Sequence, residues 1–213
     1  MRAKTRSAII LAGGDSKRFG SFKALFMIRN KPMISYVIDA CLAIPFEDIL
    51  VVTSSSDKEK MIQEVVPRGV HVVRDDIERY PVTGPLCGIA TGLEQVKTDF
   101  TFITACDIPL LRPRLVGYLL RRITVDVEAI IPRWPNGFIE PLLAVYQTVR
   151  TLNSVRIAIR EGNRNLRSFI TPLKKVDYVS VDELRSVDRE LISLLNVNTP
   201  NDLTGLSRRM RTM

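Results

Sequence analysis

The stretch "AIILAGGDSKRFGSFKAL", residues 8–25, opens as an apolar strand, breaks at Gly13-Gly14, turns basic through Arg18, and reaches Gly20 and Lys23. Paired glycines at the end of a strand let backbone N–H groups approach a phosphate or a base closely. Two familiar phosphate templates do not fit. A Walker loop places four residues between its glycines and follows the second with lysine. Here five residues separate Gly14 from Gly20, and Ser21 follows. A dinucleotide fingerprint needs Gly-x-Gly-x-x-Gly, a spacing that Gly13-Gly14 does not provide.

Outward from this stretch the chain alternates between two periodicities. Residues 7–12, 48–54, 70–74 and 100–105 are apolar and β-branched, and read as strands buried on both faces. Between them, 33–44, 57–66 and 84–96 place apolar residues at helical spacing. Strand–helix alternation of this kind predicts a mostly parallel sheet in a three-layer α/β/α sandwich. Past residue 123 the alternation loosens. Strands are expected at 128–133 and 141–147 around "WPNGF", a helix at 148–161, a break at Gly162-Asn163, a further short helix and a late strand at 175–181. Thr199 and Pro200 are placed to cap and begin a terminal helix.

With 213 residues and no low-complexity linker, the chain is expected to form one domain. The apolar patch at Ala8–Ala12 is shorter than a secretory core, and no run is long enough to span a bilayer. Cys41, Cys87 and Cys106 are odd in number and widely spaced, without a Cys-x-x-Cys pair. A zinc ribbon and a redox dithiol are therefore unsupported, and a cytoplasmic setting is expected. The net charge of +8 favours anionic partners. No nucleic-acid-binding motif accompanies that charge, so a small anionic substrate is the expected partner, with no nucleic acid and no membrane.

Ligands of open α/β sheets bind at the carboxyl ends of the strands. Gly13 and Gly14 follow the first strand, Asp75 and Asp76 the third, and Asp107 the fourth. Arg18 can grip phosphate oxygens through its fork, and Lys23 offers a compact charge. Asp107 suits Mg²⁺, which takes hard oxygen ligands, or the N-cap of a helix beginning near Leu111. His71 lies inside a strand and reads as a partly buried structural residue. Trp134 and Phe138 either stack a planar ligand or anchor their loop.

The blocks "LAGGDSKRFGSFK", "VVRDD", "GPLCGIATGL", "CDIPLL", "GFIEPLLAVY" and "NVNTPNDL" run in order from Leu11 to Leu203. Together they resemble the molybdenum cofactor guanylyltransferase family, MobA-like nucleotidyltransferases with a Rossmann-like sheet of the nucleotide-diphospho-sugar transferase type. The Leu-Ala-Gly-Gly opening resembles the guanylyl rather than the cytidylyl members. The resemblance implies transfer of GMP from GTP to the terminal phosphate of molybdopterin cofactor, with Mg²⁺ and release of pyrophosphate. It further implies that Leu11, Ala12, Gly13, Gly14, Lys23 and Asp75 contact the nucleotide, that Lys23, Arg18 and Asp107 carry catalysis, and that Asp107 binds the metal. Glu140, Asn196 and Asn198 would lie nearer the acceptor. Residues 1–123 would form a nucleotide-binding half and 124–213 an acceptor-binding half. Cofactor-delivering proteins and apo-molybdoenzymes are the implied protein partners. The chain departs from the family in carrying Phe22 where many members have Asp, and in lacking an Asn within "TSSSDKEK". Readings from other classes are a nucleotidyltransferase using CTP or another phosphorylated acceptor, a non-catalytic GTP-binding module, and a basic nucleic-acid-binding protein.

Overall fold

The computed structural model describes residues 4–14, 22–199 and 202. Arg18 and Gly20 lie outside the described residues, as does the terminal helix except for Asp202. The elements in chain order begin with β1 (Arg6–Leu11), the short ribbon β2 (Met27–Ile28) and β3 (Lys31–Pro32), α1 (Met33–Leu42) and β4 (Asp48–Thr53). Next come α2 (Ser56–Gln63), β5 (Val70–Arg74), α3 (Pro85–Gln95), β6 (Phe100–Ala105) and α4 (Pro113–Arg121). The chain continues through β7 (Ala129–Arg133), β8 (Leu143–Gln147), α5 (Thr148–Arg160), α6 (Arg167–Ile170), β9 (Val176–Ser180) and α7 (Val181–Leu184).

Seven strands form one sheet in the order β5-β4-β1-β6-β8-β7-β9. β5, β4, β1 and β6 are mutually parallel, β8 runs antiparallel to both β6 and β7, and β9 is parallel to β7. The sheet is thus mostly parallel, and residues on both sides of position 123 feed it. Side chains of β1 alternate between two cores, as the two-residue strand period requires. Ala8 and Ile10 pack with α1 and α4, while Ile9 and Leu11 pack with α3. Helices α1, α2 and α4 cover one face, and α3, α5 and α6 the other. This is the three-layer sandwich that the alternation predicts.

Local chemistry sets the helix starts. Ser55 caps α2 by accepting from the Lys58 N–H, and Gln147 caps α5 by accepting from the Arg150 N–H. Gly84 precedes α3 at φ 101°, a left-handed conformation that glycine adopts without strain, and Pro85 begins the helix. At the C-terminal end the Asp202 carboxylate accepts from Thr199 N–H at 2.8 Å, and Thr199 Oγ1 accepts from Asp202 N–H at 3.4 Å. Thr199 and Asp202 thereby make the reciprocal cap of a helix start.

Three expectations are corrected. β5 is an edge strand, so its residues from His71 to Arg74 are intermediate or exposed rather than buried on both faces. His71 is accordingly exposed, not partly buried. Asp107 does not cap the following helix, because α4 begins at Pro113 with Arg112 as its cap.

The α3–sheet contact depends on glycine. A Cβ at Gly92 would lie 2.8 Å from Cδ1 and 3.0 Å from Cγ2 of Ile9, which is fully buried and has no room to yield. Gly92→Val is expected to lower stability by about 2 kcal/mol through overpacking. The check is a fall in the urea midpoint at unchanged slope.

Candidate functional site

Strand order reverses beside β1: β4 and β5 extend the sheet on one side, and the chain then crosses to β6 on the other. Such a switch point opens a crevice at the carboxyl ends of the strands. The turn after β1 and the turn after β6 face each other there. Their backbones are tied in place, since Cys106 N–H donates to Leu11 O at 3.0 Å and Ala12 N–H to Val52 O at 2.8 Å.

A cavity of about 590 Å³ fills this crevice. Leu11, Ala12, Gly13 and Gly14 form one wall, with Lys23, Asp75, Gly88 and Asp107 on the others. The glycines of α3 explain how the walls approach. A Cβ at Gly88 would sit 3.1 Å from Leu11 Cδ2 and 3.2 Å from Asp75 Oδ1. A Cβ at Gly13 would meet Ser54 Cβ at 3.3 Å. Asp75 is held at the cavity by its N–H, which donates to Thr53 O at 2.7 Å. Burial pushes the Asp75 carboxyl up to about 6, partly countered by the Lys58 ammonium. Asp76 serves its own turn instead, accepting from Arg79 N–H at 3.1 Å.

Lys23 and Asp107 meet directly. Lys23 Nζ donates to Asp107 Oδ2 at 2.9 Å and to Asn198 Oδ1 at 3.2 Å. The two side chains are 15% and 23% exposed, so the pair is partly shielded yet reachable from the cavity. Asp107 O accepts from Val197 N–H at 2.8 Å, which fastens the 196–198 segment beside the pair.

A second cavity of about 490 Å³ adjoins the first; Pro85, Ala105, Asp107 and Leu142 line both. Glu140, Asn196, Arg164 and Arg167 line the second cavity, with Phe138 at 55% exposure. Glu140 Oε1 accepts from Trp134 Nε1 at 2.7 Å, and burial raises its carboxyl above the ordinary value against that bond. Trp134 therefore anchors its loop, while Phe138 remains at the cavity wall. Of the residues singled out in the sequence, Leu11, Ala12, Gly13, Gly14, Lys23, Asp75 and Asp107 share the first cavity, and Glu140 and Asn196 the second. Asn198 lines neither cavity but accepts from Lys23 Nζ. Residues not singled out are Ser54 and Gly88 at the first cavity, Lys58 on the Gly13 carbonyl, and Arg164 and Arg167 at the second. Gly88 had a signal in its helical pattern, since a glycine inside a helix marks close packing. The others had none, because each reaches the site from another segment.

All three cysteines are buried thiols, and burial raises each above its ordinary value. They stay protonated and contribute no nucleophile. Among the described residues no helix is long and apolar enough to cross a membrane.

A glycine turn at a sheet switch point, with a lysine paired to a carboxylate that lines two cavities, defines a site of the nucleotidyltransferase class. Comparison with known proteins agrees. The MobA-like NTP transferase domain matches residues 8–176. A "Probable molybdenum cofactor guanylyltransferase" of Methanosarcina mazei is 32% identical over 205 residues, covering 94% of this chain and 89% of that protein. A protein of the same name from Pyrococcus horikoshii is 33% identical over 198 residues, covering 92% and 96%. The crystal structure of molybdopterin-guanine dinucleotide biosynthesis protein A from Archaeoglobus fulgidus superposes with a TM-score of 0.82 at 25% identity, over 98% of this chain and 100% of that one. The chain belongs to the MobA-like NTP transferase family. A 4-diphosphocytidyl-2C-methyl-D-erythritol synthase from Anaerococcus prevotii shares the fold at 12% identity, with a TM-score of 0.73 over 98% of this chain and 96% of that one.

Proposed function

We propose that this nucleotidyltransferase moves GMP from GTP to the terminal phosphate of molybdopterin cofactor and releases pyrophosphate. The observation that carries the reading is that Asp107, paired with Lys23, lines both of two adjoining cavities. The names of the relatives in Methanosarcina mazei and Pyrococcus horikoshii support the guanylyl assignment.

In this reading GTP occupies the cavity beside Gly13-Gly14. An ionised Asp75 accepts from the N1–H and N2 amino donors of guanine, a donor pair that cytosine and adenine lack. The acceptor lies in the second cavity, where Arg164 and Arg167 suit an anion and Phe138 and Leu142 suit a planar ring. Its phosphate monoester has a second pKa of about 6, so it is largely a dianion at neutral pH and needs no general base. One acceptor oxygen bonds to the α-phosphorus as the bond to the β-phosphate bridge breaks, and pyrophosphate carries away the electron pair. The chain's part is positioning and charge neutralisation, the usual burden in phosphoryl chemistry. Lys23 exchanges its Asp107 carboxylate partner for phosphate oxygens, while Asn198 holds its ammonium near the reacting centre.

Asp107 would hold the Mg²⁺ that the family implies. No group of three or more His, Cys, Asp or Glu suited to a metal exists among the described residues. A single carboxylate still fits Mg²⁺, which keeps several waters and is shared with substrate phosphates. When bound, the ion neutralises charge on the phosphate oxygens.

Lys23→Ala is expected to weaken GTP binding and slow transfer by about 10–100-fold, the loss of a charged hydrogen bond. Unchanged kinetics would reduce Lys23 to a structural cation. The function itself is tested by pyrophosphate release with Mg²⁺, molybdopterin cofactor and either GTP or CTP. Acceptor-dependent release with GTP is expected. Faster release with CTP overturns the choice of base, and GTP binding without any release overturns the enzyme reading.

A further inference from the structure

The base-side turn carries a device that the reaction scheme does not use. Gly13 O accepts from Ser54 Oγ at 2.7 Å and from Lys58 Nζ at 3.1 Å, and Lys58 Nζ also donates to Ser54 Oγ at 2.9 Å. Ser54 follows β4 directly, and Lys58 lies in the first turn of α2, whose start is fixed by Ser55. Lys58 Nζ also lies over the Phe22 ring, 5.4 Å from its centre. Two side chains from another segment thus converge on one backbone oxygen.

That oxygen belongs to the Gly13–Gly14 peptide. A trans peptide is planar and directs its C=O and N–H to opposite sides, and the chain has no cis bond among the described residues. Holding the Gly13 carbonyl on Ser54 and Lys58 therefore also aims the Gly14 N–H. That N–H has no acceptor among the described residues, and Gly14 lines the nucleotide cavity. A peptide between two glycines is the kind most able to flip, because neither flank has a Cβ to restrict rotation. Its orientation must be imposed from outside.

We infer that Ser54 and Lys58 form a clamp on the Gly13 carbonyl that keeps the Gly14 N–H, and not a C=O, facing the base, so that both are specificity-determining positioning residues for a base bearing an exocyclic oxygen. The inference rests on the guanine reading above. Guanine presents O6, an acceptor that a fixed N–H satisfies. A flipped peptide presents a carbonyl, which repels O6 and accepts from an exocyclic amino group. The clamp thereby discriminates keto from amino purines at a point that Asp75, which reads N1 and N2, does not touch.

The test is equilibrium binding of GTP and of 2,6-diaminopurine riboside triphosphate with Mg²⁺ at pH 8, using the full chain, Ser54→Ala and Lys58→Met. The diaminopurine nucleotide replaces O6 by an amino group, keeps the N2 amine and loses the N1–H; the cost of that last change at Asp75 is shared by wild type and Ser54→Ala and cancels in their comparison. Each variant is expected to lower the ratio of GTP to diaminopurine affinity about tenfold, since a freed peptide rewards either base. A ratio unchanged in both variants overturns the clamp. A change in Lys58→Met but none in Ser54→Ala also overturns it, because loss of the lysine acts on Asp75 ionisation and loss of the hydroxyl does not. If Lys58→Met fails to fold by circular dichroism, Ser54→Ala decides. A wild-type protein without preference for GTP overturns the guanine reading and the clamp together; a preference that the variants retain overturns the clamp alone.

Discussion

Asp107→Ala is expected to remain folded and to lose turnover by about 10³-fold, the scale of removing one preorganised charge stabiliser. Asp107 stands at the end of β6, lines both cavities and is bonded to Lys23. The substitution removes the hard oxygen proposed for Mg²⁺ and the counter-charge that places the Lys23 ammonium. The fold is expected to tolerate it, because Lys23 keeps its bond to Asn198 and its ammonium can be solvated from the cavity. The backbone bond from Val197 N–H to the residue 107 carbonyl survives the change. Asp107→Asn separates the two roles, keeping the hydrogen-bond geometry and removing the charge. Single-turnover transfer at saturating GTP, set against melting temperature, is the measurement. A folded Asp107→Ala protein with wild-type turnover would falsify the assignment.

Asp75→Asn is expected to act in opposite directions on binding and on stability. A carboxylate accepts both guanine donors, whereas an amide accepts with its oxygen and sets its own NH₂ against the second. GTP affinity should fall about 100-fold, as for a lost charged hydrogen bond plus an unpaired donor. For stability, the folded-state value of about 6 lies above the ordinary 3.8, so the folded protein binds the proton more tightly than the unfolded chain. Stability is then highest below about 4 and is lost as pH rises to about 6, beyond which the ionised carboxylate stays a constant burden. Asp75→Asn removes that burden and is expected to melt higher than wild type above pH 6, with the difference shrinking toward pH 4. Wild-type GTP affinity should rise across the same upper limb as Asp75 ionises. Calorimetry with GTP at pH 5 and pH 7.5, with thermal scans of both proteins, covers these expectations. Equal GTP affinity in the two proteins at pH 7.5 would remove Asp75 from base recognition.

The strands and helices were legible because their signals are local. "SAIILA" is a buried strand by composition, "GPLCGIATGLEQV" starts with a glycine and a proline suited to a helix start, and Gly13-Gly14 marks a turn wherever the chain goes afterwards. The ribbon β2–β3 was not legible, since its paired segments are two residues long and carry no alternation. "VHVVR" misled for a different reason. Its apolar run matches an interior strand, but its position at the edge beside β4 is a property of strand order. His71 follows it into solvent.

The site divides in the same way. Lys23, Asp75 and Asp107 could be nominated because each follows a strand or glycine turn, and the carboxyl ends of parallel strands share one edge. That Lys23 bonds Asp107 across 84 residues, or that Lys58 bonds the Gly13 carbonyl across 45, depends on how α2 and the 3-10 turn at Lys23–Leu25 pack on the sheet. Arg164 and Arg167 reach the second cavity because α5 ends at Arg160 and the chain turns back beside the Phe138 loop, where Arg167 donates to Gly137 O at 3.3 Å. By itself the sequence determined the elements, the layered α/β class and the residue types at the strand ends, all governed by neighbours within a few positions. The tertiary structure decided which strand became an edge, that two cavities meet at Asp107, and which side chains hold the Gly13–Gly14 peptide. Those outcomes depend on strand order and helix packing, which bring together residues that no local pattern connects.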